Sequence, residues 1–153
     1  MSQIKITPVI KSDIKSVFDL SRNIDFHQKS TVHTNEEAID GKTSGLIEMN
    51  ELVTWRAKHF GIYQKFTSQI TAFQSPLYFV DEMTKGAFKD FRHEHHFKST
   101  ALGTQMIDVL NFNSPFGLLG KIIDALVLKK YLKNLLISRN NMLKEELEKT
   151  LIE

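Results

Sequence analysis

Residues 104–136 read TQMIDVLNFNSPFGLLGKIIDALVLKKYLKNLL, and the change of period inside this stretch decides the fold. Up to Phe112 every second position points the same way, with Met106, Leu110 and Phe112 sharing a side with Asp108. Period two marks a half-buried strand. Ser114-Pro115-Phe116-Gly117 breaks the pattern, as Pro and Gly do between elements. From Leu118 the period is helical: Ile122, Leu126, Leu132, Leu135, Leu136, Met142 and Leu143 mark one face, and Lys129, Lys130, Lys133, Lys144, Glu145 and Glu148 the other. No proline follows Pro115, so the spacing predicts a C-terminal helix beyond ~30 residues, against a mean of ~11–12. So broad an apolar stripe needs a large surface to lie on. In this chain only a sheet can supply it.

Upstream, alternating segments at 52–60, 62–73, 77–85, 88–98 and 104–112 are separated by brief turns at Gly61, Ser75-Pro76, Gly86 and Gly103. Five strands so spaced predict an antiparallel meander. A further strand is expected over 4–10, with Pro8 at an edge or bulge. Ser12 is expected to cap a short helix beginning at Asp13, with Ile14, Val17 and Phe18 as its buried stripe. A second helical turn follows over 23–28. The polar stretch 29–44 reads as a loop with one helical turn at 36–39. The order strand, two short helices, meander, long helix makes one α+β domain over 1–153.

Composition narrows the function. Charge is nearly balanced, with 20 basic against 18 acidic residues, which argues against a nucleic-acid partner. There are no cysteines, so disulfides, thiolate nucleophiles and cysteine metal sites are excluded. The opening Met-Ser-Gln-Ile-Lys-Ile-Thr lacks the apolar run of a signal peptide. No stretch reaches the ~18 apolar residues of a membrane span. A cytoplasmic protein without stable membrane insertion is expected. Lys129, Lys130 and Lys133 read as a solvated helix face. The oligomeric state is not specified.

Several segments resemble a known family. They are Phe79-Val80-Asp81-Glu82-Met83 with Gly86-Ala87-Phe88, the run from Phe91 to Phe97, the run from Ser114 to Gly120, and the run from Tyr131 to Asn140. Together they resemble the START / Bet v 1-like superfamily, also called SRPBCC, and within it the bacterial ligand-binding subfamily. The resemblance spans the whole chain. It implies a helix-grip fold, in which a curved antiparallel sheet wraps around the long C-terminal helix. It also implies an apolar cavity between the two. Members of the superfamily include lipid carriers, polyketide cyclases, hormone receptors and quinone-binding proteins.

Strand alternation indicates what would face such a cavity. Val53, Trp55, Ala57 and His59 oppose Thr54, Arg56 and Lys58, and the first set is placed inside. Ile62, Phe66, Ile70 and Ala72 share the next inner face, and Leu77, Phe79, Asp81 and Met83 the one after. Phe91, His93, His95 and Phe97 oppose Arg92, Glu94 and His96. The informative residues are the polar ones on apolar faces: His59, Asp81, His93, His95 and Asp108. A buried charge costs several kcal/mol unless paired. Neighbouring strands lie ~4.8 Å apart, so carboxylate–imidazole pairs across strands are expected.

Three readings of these pairs stay open. They form an internal hydrogen-bond network, or they orient a ligand's polar group, or they act as acid and base. In the last case His93 or His95 works with Asp81 or Asp108, as in a polyketide cyclase or dehydratase. A metal reading places His93 and His95 with Asp81 or Asp108 around zinc or iron. The neighbouring Phe91 and Phe97 count against it, and no metal or other cofactor is expected. The expected function is non-covalent binding or transport of a small hydrophobic molecule, such as a lipid, a quinone or an aromatic polyketide. Its lining is expected to be Trp55, His59, Phe66, Phe79, Asp81, Met83, Phe91, His93 and Asp108. Leu119, Ile122, Ile123 and Leu126, from the first half of the helix, are expected to form the lid.

Overall fold

The computed structural model describes residues 1–149. Eight strands form one antiparallel sheet. They are β1 (Ser2–Ile6), β2 (Val9–Ile10), β3 (Glu37–Gly41), β4 (Leu52–His59), β5 (Ile62–Gln74), β6 (Tyr78–Lys85), β7 (Asp90–Thr100) and β8 (Gly103–Asn113). The order across the sheet is β1-β8-β7-β6-β5-β4-β3, with β2 also pairing β8. Two short helices, α1 (Ile14–Ser21) and α2 (Ile24–Ser30), follow β2. The described residues close with one long helix: α3 (Gly117–Ile123), a π turn (Asp124–Leu128) and α4 (Lys129–Glu148). This is the helix-grip arrangement.

The strands form where the alternation is clean. In β8, Thr104, Met106, Asp108, Leu110 and Phe112 are all buried while the residues between them are not. Curvature comes from length and irregularity. β5 has 13 residues, and its pairing with β6 shifts register between Thr67 and Ser68 and again between Ile70 and Ala72. Such bulges bend a strand and increase its twist. The concave face receives α1, whose Val17 and Phe18 are fully buried. Phe18 makes edge contacts with the rings of Phe73, Phe79 and Phe97.

Four expectations need correction. Pro8 ends β1, so the first strand is two short pieces, and the carbonyl of Pro8 accepts from the Met106 N–H. The cap of α1 is Asp13, whose carboxylate accepts from the Ser16 N–H, and not Ser12. The predicted helical turn at 36–39 is strand β3, paired with β4. That strand was hidden because it lies at the sheet edge and none of its five residues is buried, so it has no alternation to read.

The fourth correction concerns the long helix. Leu119, Ile122 and Leu126 lie in solvent, with Leu118 and Val127. Ile123 is half-buried. The π turn supplies the reason. Leu118 and Leu136 are 18 residues apart, five turns at ~3.6 residues each, and would share one face of an unbroken helix. A π turn holds an extra residue and so rotates everything before it away from the face that α4 lays on the sheet. Its Asp124 is buried and accepts from the Ser114 N–H at 3.0 Å, which ties the front of the helix to the end of β8. Two glycines permit that tight start. Gly117 adopts φ +56°, and a Cβ on Gly120 would lie 2.1 Å from the Ser114 hydroxyl.

Candidate functional site

The sheet and α4 do not meet everywhere. Between them lies a cavity of about 240 Å³. Its apolar wall includes Trp55, Phe66, Ile70, Phe79 and Phe91 from the sheet and Leu132, Leu135 and Leu136 from α4. Two polar groups interrupt the wall. One sits on the central strands β6, β7 and β8, the other toward the β3 edge.

The central group grows from strand register. Asp81 on β6 faces His93 on β7, and His95 on β7 faces Asp108 on β8. The side chains connect partly on the diagonal. His95 Nε2 lies 2.9 Å from Asp81 Oδ2, and its Nδ1 lies 3.0 Å from Asp108 Oδ1. Ionised carboxylates only accept, so both ring nitrogens donate and His95 is an imidazolium. Burial pushes its pKa down, but the hydrogen bonds to Asp108 and Asp81 outweigh burial, and the net shift is upward. Burial would raise Asp108, yet the His93 and His95 imidazoles hold it well below the ordinary carboxylate range. Asp81 is also lowered, against burial, mainly by His95.

α4 completes the group. Asn140 donates from Nδ2 to Asp108 Oδ2 at 2.6 Å. Arg139 donates to Asn140 Oδ1 at 3.3 Å and to the Ser21 carbonyl at 2.6 Å. A donor chain thus runs from Arg139 through Asn140 to Asp108, which also accepts from His95. Arg139 and His95 are positive, Asp81 and Asp108 negative, so the buried cluster balances its charge. The Phe79 ring stacks on His95 at 4.2 Å between centroids.

His93 stands apart. Its Nε2 is 3.4 Å from Asp108 Oδ1 but makes no hydrogen bond. Burial and the adjacent His95 charge lower its pKa, so it is the neutral imidazole of the pair. Asp81, His93 and His95 each offer one donor atom within 4.8 Å of the others and could hold a metal. An ion there would have to displace the proton between His95 and Asp81.

The edge group is looser. His27 on α2 meets Glu36 at 2.9 Å, and the His27 ring lies 4.4 Å from Trp55. His59 Nδ1 meets the Tyr131 hydroxyl at 2.6 Å. Burial would raise Glu36, but His27 and then His59 bring it below the ordinary value. Burial lowers His59, partly opposed by Glu36.

Of the expected lining residues, Trp55, His59, Phe66, Phe79, Asp81, Phe91 and His93 border the cavity, as does His95. Asp108 is fully buried behind His95 and does not. Met83 packs near Gly86 and Phe66 at the end of β6, outside the cavity wall. Leu119, Ile122, Ile123 and Leu126 lie outside it too, and the middle of the helix forms the roof instead. Sequence reasoning missed Arg139, Asn140, His27, Glu36 and Tyr131. For Arg139 and Asn140 the signal was present. They fall between Leu136 and Leu143 on the buried helix stripe, as polar residues on an apolar face.

Neither a family model nor a curated protein sequence matches the chain. Solved structures do. Protein TTHA0849 from Thermus thermophilus matches with TM-score 0.77 at 14% identity, over 97% of this chain and 99% of that one. Major latex-like protein 151 from Panax ginseng matches with TM-score 0.70 at 14% identity, over 95% and 97%. Ara h 8.0201 matches with TM-score 0.65 at 8% identity, over 93% and 97%. The shared architecture is the Bet v 1-like helix-grip fold.

Proposed function

We propose that this helix-grip chain binds a compact hydrophobic molecule between sheet and helix, without covalent chemistry. The observation that carries the reading is the cavity of about 240 Å³ with a charge-balanced polar floor. That volume exceeds the ~150 Å³ that suffices for benzene. It falls short of the ~300–1,000 Å³ typical of drug-sized ligands. A fused-ring aromatic or naphthoquinone-sized molecule suits it better than a whole lipid, which narrows the expected ligand range. Binding draws on burial of apolar surface, at ~25 cal/mol per Å². Orientation comes from Asp81, whose carboxylate accepts a hydroxyl, and from the neutral His93.

Trp55 is the sole tryptophan and lines the cavity, so its emission reports occupancy. Titration with naphthoquinones and naphthols should shift Trp55 fluorescence with saturation, whereas long-chain fatty acids should not. Ser68→Phe, which adds bulk to the wall, should abolish the shift while preserving the melting transition. An unchanged response in that variant, or no response to any compact aromatic, would refute the reading.

A second reading, a cyclase or dehydratase, draws on one observation. An imidazolium flanked by carboxylates stands beside a neutral imidazole inside the cavity. His95 can only donate, so His93 would be the base. Turnover of aromatic polyketides, lost in His93→Ala with Trp55 binding retained, would establish it.

A further inference from the structure

The front half of the C-terminal helix carries a run of exposed large apolar side chains. Leu118 is 78% exposed, Leu119 64%, Ile122 52%, Leu126 72% and Val127 49%. Leu118, Ile122 and Leu126 recur at four-residue spacing and so lie along one side of the helix, with Leu119 beside them. Phe116 extends the patch at the helix start, at 62% exposed. At its other end Tyr131 packs on Phe60, which is itself 58% exposed at the tip of the β4–β5 hairpin. Lone exposed apolar residues are ordinary, but a contiguous group this size marks an interaction surface.

The charge around the patch selects the partner. Lys121, Lys129, Lys130 and Lys133 are all exposed. The single acid within 117–133, Asp124, is 3% exposed and bonded inward to Ser114. The outward face of this segment is therefore apolar and basic, with no acid on it. Leucine and isoleucine flanked by lysine, with no internal countercharge, is the chemistry of a helix lying in the interface of an anionic bilayer. A second copy fits less well, because a two-fold contact would bring the same lysines together. Among the described residues no helix is long and apolar enough to cross a membrane, so the segment lies on the bilayer and does not span it.

We infer that residues 116–130, with Phe60, dock this protein peripherally on membranes carrying anionic lipid. The segment runs directly into Leu132 and Leu135 of the cavity roof. Docking therefore sets the wall of the cavity against the reservoir in which hydrophobic molecules dissolve. That consequence rests on the cavity being a ligand site; docking does not.

The test is co-sedimentation of the full chain with vesicles of phosphatidylcholine containing about one-third phosphatidylglycerol, beside vesicles of phosphatidylcholine alone. Binding to the mixed vesicles should exceed that to neutral ones by about ten-fold at low salt and weaken at high salt. L118E/I122E should lower it about ten-fold or more, and K129E/K130E should remove most of the preference for anionic lipid. All four residues are exposed, so the melting temperature of each variant should match the parent. Absence of binding to the mixed vesicles overturns the inference, as does full binding by L118E/I122E. Concentration-dependent dimerisation abolished by L118E/I122E also overturns it, by assigning the patch to a second copy. Retention of the Trp55 ligand response in L118E/I122E separates a docking failure from a failure of the cavity reading.

Discussion

The cavity holds two polar groups built from the same residue types, histidine and carboxylate, yet they are secured differently. The central group spans three interior strands and is locked by α4, so each charge meets an opposite charge or an amide. The edge group draws single residues from α2 (His27), the position just before β3 (Glu36), the end of β4 (His59) and α4 (Tyr131), and its bonds join single pairs. The difference teaches how one fold can separate structural from adaptable polarity. Where strands lie on both sides, register fixes the partners. Where the sheet ends, helices supply them one at a time.

The strongest way to break this contrast is to remove one carboxylate from each group. Asp108→Ala strands the His95 imidazolium beside a single remaining carboxylate and leaves Asn140 Nδ2 without its acceptor. Loss of one partner from a buried pair costs ~3–5 kcal/mol, and urea denaturation should show a loss of that order. Glu36→Ala should cost about 1–2 kcal/mol by the same measurement, because its partner His27 reaches solvent. Equal losses would erase the distinction.

Next in size is Asn140→Ala, which removes one charge-assisted bond to Asp108. Its expected cost is ~1–3 kcal/mol. The melt should also show whether α4 contributes to the central group or only covers it.

pH sharpens the comparison, because the two central imidazoles shift in opposite directions from the ordinary value of 6.5. His95 is raised when folded. Its contribution is fully present below 6.5 and is lost as pH climbs through its folded pKa. His93 is lowered when folded, so the unfolded chain binds the extra proton and stability falls as pH drops below 6.5. Melting temperature should therefore peak near the ordinary histidine value. His93→Leu should flatten the acid side of that peak and His95→Leu the alkaline side. Asp108, which is lowered, adds a further loss only as pH falls below 3.8 toward its folded pKa.

The smallest effect belongs to the edge. Tyr131→Phe deletes the hydroxyl bonded to His59 in a half-exposed setting, and should change stability by less than about 1 kcal/mol. A larger loss in thermal denaturation would mean that the edge is as tightly built as the centre.

Much of this was legible in the residues. Asp81, His93, His95 and Asp108 stood out because alternation placed charge on a buried face, and pairing across strands followed from the cost of leaving it alone. What alternation could not give was the diagonal bond from His95 to Asp81, which depends on side-chain reach, or the position of Asp108 behind the cavity wall. β3 escaped because an edge strand with no buried residue carries no period. The front of the long helix misled for a different reason. Periodicity shows that Leu118, Ile122 and Leu126 form a stripe, but not which way that stripe faces after a π turn.

That turn acts as a phase shifter. Were its hydrogen bonds to revert to the α register with no residue lost, everything before it would swing through about 100°. Leu118 and Ile122 would then fall in line with Leu136 and Asn140 and be aimed at the sheet. One residue of helical slippage separates a greasy outer flank from a closed cover, and the hydrogen-bond register at this point, more than composition, sets which of the two the molecule presents.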